Sequence, residues 1–485
     1  MAHETAHDPA HDATAPADGH ATGPADVIAP GAVAATVAAL LPRAREELTE
    51  LVRFQSVADP EQFPVSECHG AARWIADALR GEGFTDVAEL ETPDGTRSVY
   101  GLLPGPVGAP TVLLYAHYDV QPPLDPAGWD SPPFELTERD GRWYGRGTAD
   151  CKGGFVLHLL ALRALREHGG IPVTVKMIVE GSEEQGTGGL EHYAEAHPEL
   201  LAADAIVVGD SGNFRAGQPT VTSVLRGMTL LRVRVDTLEG NLHSGQFGGA
   251  APDALGALIR VLDSLRAEDG STSVDGLASD AVWEGLQYPE EDFRRDARVL
   301  DGVGLIGSGT VSDRLWARPA VTVLGIDCPP VVGATPSVQA SARAVVSLRI
   351  PPGTDAVEAN RLLAEHLRKR APWGARVSVE QVGEGQPFSA DTASPAYTAM
   401  REAMAEAYDG AEMAVAGMGG SIPLCNTLAA LYPEAEILLT GLSEPEAQIH
   451  AVNESVSPDE LRRMSVVEAL FLRKYAERHR GPSAG

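Results

Sequence analysis

The sequence is poor in several residues whose abundance would place it outside the ordinary globular enzymes. Only four cysteines occur in 485 residues, Cys68, Cys151, Cys328 and Cys425, in no CxxC spacing. That excludes a disulfide scaffold and a cysteine-type zinc site, and reads as reduced thiols in a cytoplasmic protein. No apolar run reaches the roughly 20 residues of a membrane span. The first residues also lack the basic and apolar regions of a secretory signal. Basic residues are the scarcer charge: 38 Lys and Arg stand against 68 Asp and Glu, giving a formal net charge of −30. So acidic a surface is repelled by phosphates, which excludes nucleic acid and anionic membrane as main partners. What is present, 44% hydrophobic and 22% charged residues, describes a chain with a substantial core. Its length predicts two domains.

Residues 1–27 are rich in Ala, Asp, Pro and His without apolar periodicity, and read as a disordered tail. Two amphipathic helices follow between Pro30 and Arg80. Next come buried strands at 111–116 (TVLLYA), 173–180 (VTVKMIVE) and 205–209 (AIVVG), separated by helices at 153–168 and 188–197. Continuous apolar strands between helices predict an α/β fold with a mostly parallel mixed sheet flanked by helices. From about residue 220 the pattern alternates apolar and polar, as in 229–237 (TLLRVRVDT), so 220–388 reads as a separate α+β domain. A helix at 395–408, a strand at 436–441 (EILLTG) and a helix at 458–478 then restore the first pattern. The expected catalytic domain is therefore 28–219 together with 389–485, with 220–388 inserted.

The metal-type residues fall at the ends of these strands. His117 follows TVLLYA, Glu183 and Glu184 follow VTVKMIVE, Asp210 follows AIVVG, and His450 lies beyond EILLTG. Asp150 precedes a helix in GRGTADCKGG. Ligands of open α/β sheets gather outside the carboxyl ends of the strands, so these groups are expected at one edge. Imidazole and carboxylate are both zinc ligands and need no cysteine beside them. Two divalent ions beside three carboxylates leave a small net positive charge, which suits an anionic substrate and an ionised water. The doubled Glu183-Glu184 offers one ligand and one general base. Asp119, two residues after His117, can accept the other ring N–H and fix the imidazole tautomer. Each of these short patterns is weak alone; their common placement carries the argument. His69, His158 and His366 are given no role.

The ordered runs AHYDVQP, PPFE, YGRGTADCKG, EGSEEQGTGGL, GDSGN, LRG, NLHSGQFGG, GGSIP and IHAVNE resemble the M20 metallopeptidase family across about residues 35–478. The resemblance implies a two-zinc amidohydrolase, with manganese or cobalt as alternative ions. It implies His117 and Asp210 on one metal, Glu184 and His450 on the other, and Asp150 bridging them. Glu183 would be the base that activates a metal-bridging water, and the Asp150–Cys151 peptide bond would be cis. The resemblance further implies that His243 enters the site of a partner subunit and polarises the scissile carbonyl there, which makes the protein a homodimer through its lid domain.

Within the family, HYDVQP, LHSGQFGG and the long insertion resemble the dipeptidase branch, of the carnosinase type. Arg349 in VVSLRIPPG then matches an arginine that binds the substrate's terminal carboxylate, with Gly420 and Ser421 of GGSIP lining the same region. Two positions depart from that branch: Gly417-Met418 stand where Arg-Glu often precedes GGSIP, and Cys151 follows the bridging aspartate where an acid is common. The expected activity is amide hydrolysis of dipeptides or short peptides. Deacylation of N-acyl amino acids on the same site is the second reading, and a metal-free binding protein the third.

Overall fold

Hydrophobic periodicity is followed closely in the observed elements. The computed structural model describes residues 30–420 and 422–479. The expected tail and Ser421 lie outside the described residues. Helices Pro30–Arg53 and Val65–Gly81 come first. The second buries Cys68, Ala71, Ala72, Ile75, Ala76 and Leu79, one stripe at three- and four-residue spacing.

A nine-stranded sheet forms the larger part. Its order runs Thr85–Glu91, Arg97–Leu103, Thr174–Glu180, Thr111–His117, Ala205–Gly212, Glu436–Ser443, Thr220–Leu225 and Phe388–Ser389, with Ala414–Met418 pairing Thr220–Leu225. The four central strands, from Thr174–Glu180 to Glu436–Ser443, are parallel. They are apolar throughout because helices cover both faces. Along Thr111–His117, Val112, Leu114 and Ala116 join one buried cluster, while Leu113 and Tyr115 join another on the opposite face. Each of these Val and Leu side chains contributes about 1.5–3 kcal/mol on full burial. Helix Lys152–Glu167 is buried from Lys152 through Leu165. His158, inside it, is fixed structurally, its Nδ1 at 2.7 Å from Glu468 and Nε2 at 3.2 Å from the Tyr115 carbonyl.

The outer strands supply the antiparallel part of this mixed sheet. Thr85–Glu91 and Arg97–Leu103 are antiparallel to each other, and Arg97–Leu103 is antiparallel to Thr174–Glu180. The strand TDVAELE is largely exposed or half-buried; an edge strand needs no continuous apolar run, so the sequence pattern did not reveal it.

After Leu225 the chain leaves this sheet and builds a second one, antiparallel, in the order Ala320–Asp327, Ser341–Ile350, Gly227–Asp236, Arg376–Gly385. Helices Ala254–Asp263 and Ala356–Lys369 pack on one face, burying Leu231, Val233, Val235, Val346 and Leu348 in a cluster of their own. Alternation along Gly227–Asp236 follows from that single covered face. Because Thr220–Leu225 belongs to the large sheet, the crossing falls at Arg226 and not at residue 220. The chain returns at Phe388–Ser389. All four cysteines are free, and among the described residues no helix is long and apolar enough to cross a membrane.

Candidate metal centre

The central strands run in one direction, so their carboxyl ends share one edge of the sheet, and five of the expected residues arrive there. His117 ends its strand, Asp210 lies within Ala205–Gly212, Glu183 and Glu184 follow Glu180, and His450 follows Ser443. Asp150 comes from the turn before helix Lys152–Glu167, across a cis Asp150–Cys151 peptide bond. Its two oxygens face opposite ways: Oδ1 is 3.0 Å from His117 Nε2 and Oδ2 is 3.0 Å from His450 Nε2. Asp210 Oδ1 lies 3.4 Å from His117 Nε2, and Glu184 Oε2 lies 3.2 Å from His450 Nε2. The result is two imidazole–carboxylate pairs flanking one shared carboxylate.

The donor set fits metal ions. Ligand atoms about 2.0–2.1 Å from a tetrahedral zinc stand roughly 3.3–3.4 Å from each other, close to the separations seen here. The electrostatics agree. Burial lowers the proton affinity of His117, but the Asp210 charge and the hydrogen bonds of Asp119 and Asp150 raise it well above the ordinary range. Hydrogen bonds from its ring N–H to Asp150 and Glu184 raise His450 to about 10. Burial would raise Asp150, yet its bonds to His117 and His450 hold it below the usual carboxylate range. Protons are thus drawn onto both imidazoles by a field that a cation would equally satisfy.

Burial and the nearby Asp210 charge raise Glu183 to about 10, and burial raises Asp210 to about 6 against the pull of His117. Cys151 Sγ also lies near His117 and Asp210. Burial pushes its thiol up, and its proton is donated to the Gly209 carbonyl at 3.2 Å, which disfavours a thiolate ligand.

Neighbouring groups orient these side chains. His117 Nδ1 is 3.1 Å from the Asp119 carbonyl, which can only accept, so Nδ1 carries the proton and Nε2 faces Asp150. The Asp119 carboxylate stands farther off, at 3.5 Å. It accepts instead from the backbone N–H groups of Glu183 at 3.1 Å and Glu184 at 3.0 Å. Asp119 therefore holds the Glu183-Glu184 turn as well as the imidazole, a second job that its HxD spacing does not reveal. Gln121 Nε2 donates to Glu184 Oε2 at 2.8 Å.

Glu454 was overlooked by sequence reasoning. It is fully buried, and its carboxylate accepts from the N–H groups of Gly147, Ala149 and Asp150 at 3.0–3.2 Å and from Arg146 Nη1 at 2.8 Å. One side chain thereby ties the His450 loop to the Asp150 loop. The only signal was that IHAVNE and YGRGTAD each carry one member of the pair.

The remaining expected residues stand elsewhere. Arg349 lies in the second sheet, half-buried. Gly420 follows Gly419, and a side chain added at Gly420 would meet open space. His243 is exposed, with Nδ1 accepting from the Gly245 N–H at 3.1 Å.

The sequence profile described as Peptidase family M20/M25/M40 matches residues 113–474. A cysteinylglycine-S-conjugate dipeptidase of Corynebacterium striatum is 47% identical over 438 residues, covering 89% of this chain and 95% of that protein. Human carnosine dipeptidase 1 superposes with a TM-score of 0.78 at 23% identity, over 92% of this chain and 99% of its own. The di-peptidase Dug1p of Saccharomyces cerevisiae gives 0.77 at 22%, over 92% and 98%.

Proposed function

The chain belongs to peptidase family M20/M25/M40, and on that premise we propose that it is a two-metal dipeptidase for small dipeptides of the Cys-Gly type. The observation that carries this reading is the Asp150 carboxylate, whose two oxygens each face a different imidazole at 3.0 Å. His117 and Asp210 would hold one ion and Glu184 and His450 the other, with Asp150 contributing to both. The nitrogen and oxygen donors suit zinc. Zinc bound there supplies Lewis acidity toward the scissile carbonyl and lowers the pKa of the attacking water.

Glu183 is the general base. Asp119 fixes its backbone, and among the described residues its carboxylate bonds neither imidazole, so it is free to take the proton of the attacking water and return it to the leaving amine. Arg349, with Gly420 and Ser421, receives the carboxylate end of the substrate. The inserted unit is the lid and dimerisation domain. Its edge strand Ala320–Asp327 exposes Val323, Leu324 and Ile326, a surface suited to a second copy. His243, exposed and with Nε2 unoccupied by its one local bond, would serve the partner's carbonyl. The Cys-Gly class is supported by the 47% identical relative named for that activity.

The test is hydrolysis by the purified protein supplied with zinc, manganese or cobalt, on Cys-Gly, its S-substituted forms and a panel of N-acetyl amino acids. Metal-dependent cleavage of the dipeptides is expected. Cleavage confined to N-acetyl amino acids would shift the assignment to deacylation, and hydrolysis unaffected by chelation would defeat the two-metal reading.

A further inference from the structure

The hairpin turn at residues 92–96 (TPDGT) takes no part in the chemistry described so far, yet it grips the segment that carries Glu183 on both sides. It joins the edge strand Thr85–Glu91 to Arg97–Leu103. Arg97–Leu103 pairs with Thr174–Glu180, whose end leads into the Glu183-Glu184 turn. Asp94 is the centre of the contact. Its Oδ1 accepts from Thr92 Oγ1 at 2.6 Å, from Thr96 Oγ1 at 2.8 Å and from the Thr96 N–H at 3.0 Å. Its Oδ2 accepts from Thr187 Oγ1 at 2.5 Å, just past the turn. Before the turn, Thr96 Oγ1 stands 3.0 Å from Ser182 Oγ. A Cβ added at Gly189 would collide with the Asp94 carboxylate, so the loop approaches that group closely. Burial would raise the Asp94 pKa, but hydrogen bonds from Thr187 and Thr92 hold it well below the usual carboxylate range.

The turn needs such a hold. Gly186 and Gly188 are left-handed, at φ 59° and 71°, and bring no side chain to anchor it. A cavity of about 10 Å³ is enclosed between Ser182, Glu183, Gly186, Gly188 and Glu191, so packing leaves the turn room to shift. Glu184 has a side-chain partner in Gln121. Glu183 is held through its backbone, by its N–H on Asp119. Hydrogen bonds to an ionised acceptor are among the stronger ones, and Asp94 supplies one to the loop beyond Glu184.

We propose that Asp94 is a positioning residue for amide hydrolysis: from the edge hairpin, through Thr187 and through Thr96 with Ser182, it fixes the turn from which Glu183 takes the proton of the attacking water. This rests on the peptidase reading above. Asp119 and Asp94 then hold one turn from two separate strand connections. Asp119 holds the N–H groups of Glu183 and Glu184, and Asp94 holds the residues that flank them.

The experiment follows dipeptide hydrolysis in wild type, Asp94→Ala, Asp94→Asn, Glu183→Gln and the double variant of Asp94→Ala with Glu183→Gln, each with metal content and melting temperature measured. Asp94→Ala should lower kcat by about 10- to 100-fold, the scale of a displaced reacting group, with KM within about threefold and metal content unchanged. Asp94→Asn should recover most of that loss, because its amide oxygen still accepts from Thr92 and Thr96 and its NH2 donates to the Thr187 hydroxyl. In the Glu183→Gln background, Asp94→Ala should cost less than about twofold more, since residues that act as one unit are not additive. An equal fold-loss with and without Glu183, an unchanged kcat in Asp94→Ala, or a kcat that falls only in step with metal content overturns the proposal. Should Asp94→Ala fail to fold, Thr187→Val removes one bond of the clamp and is read in the same cycle, with the same outcomes deciding. A wild type that cleaves no dipeptide sinks the peptidase reading instead. Hydrogen exchange over residues 182–189 then decides: faster exchange in Asp94→Ala supports the clamp, and exchange equal to wild type refutes it.

Discussion

Substituting Glu454 by Gln should destabilise the catalytic domain by about 3–5 kcal/mol, the range for breaking a buried ion pair from one side. Glu454 and Arg146 are both about 1% exposed or less, and their 2.8 Å contact is the one ion pair that Arg146 makes among the described residues. The glutamine keeps one acceptor for the N–H groups of Gly147, Ala149 and Asp150, but it turns an amide toward a guanidinium that can only donate. Most of the loss therefore comes from a stranded Arg146 charge, and only a lesser part from the loop bonds. Burial raises Glu454 despite Arg146, which means that the pair itself gains little over an apolar replacement. Removing both charges, as in Arg146→Met with Glu454→Gln, should accordingly restore half or more of the loss. Denaturant unfolding of the metal-loaded protein measures all three. A single variant within about 1 kcal/mol of wild type, or a double variant no more stable than the single, would show that the pair is not the clamp described.

Three further outcomes are expected. Glu183→Gln should lower kcat by about 10²–10⁴-fold while metal analysis shows unchanged content; near-normal turnover rules out Glu183 as the base. Asp119→Asn should weaken metal binding by about 10- to 100-fold, because a side-chain amide cannot accept from both the Glu183 and Glu184 N–H groups through two oxygens; competition with a chelator reads it, and unchanged affinity contradicts it. In the metal-free protein, His450 has its pKa raised from 6.5 to about 10. Its protonated form then contributes stability that is fully present below about pH 6.5 and is lost as pH rises through about 10. The imidazole is half-exposed, so the effect is small; a melting curve of chelated protein that rises with pH across this window would contradict the sign.

Much of the site could be read from the residue order because the central strands are buried on both faces. Runs such as TVLLYA and AIVVG declare themselves, and the polar residue that ends each one stands out against them. Strand Thr85–Glu91 is the opposite case: at a sheet edge its TDVAELE pattern has no face that must be apolar. Glu454 was hidden for another reason. It is one acid among 68 Asp and Glu residues, and its meaning depends on Arg146, 308 residues away. A single sequence shows local period and local motif; it carries no direct record of which distant charges meet.

The Glu454–Arg146 clamp also bears on how the protein is made. The segments it joins flank the entire inserted unit, so on the ligand assignment proposed above the two metal positions mature at different times. A growing chain that has emerged through Asp210 already contains His117, Asp150 and Asp210, a ligand set for one ion. The second position must wait until the insertion has been synthesised and the segment carrying His450 and Glu454 has closed onto the Asp150 loop. Metal loading is then ordered by synthesis, and a chain halted within the inserted domain would carry one ion and no activity.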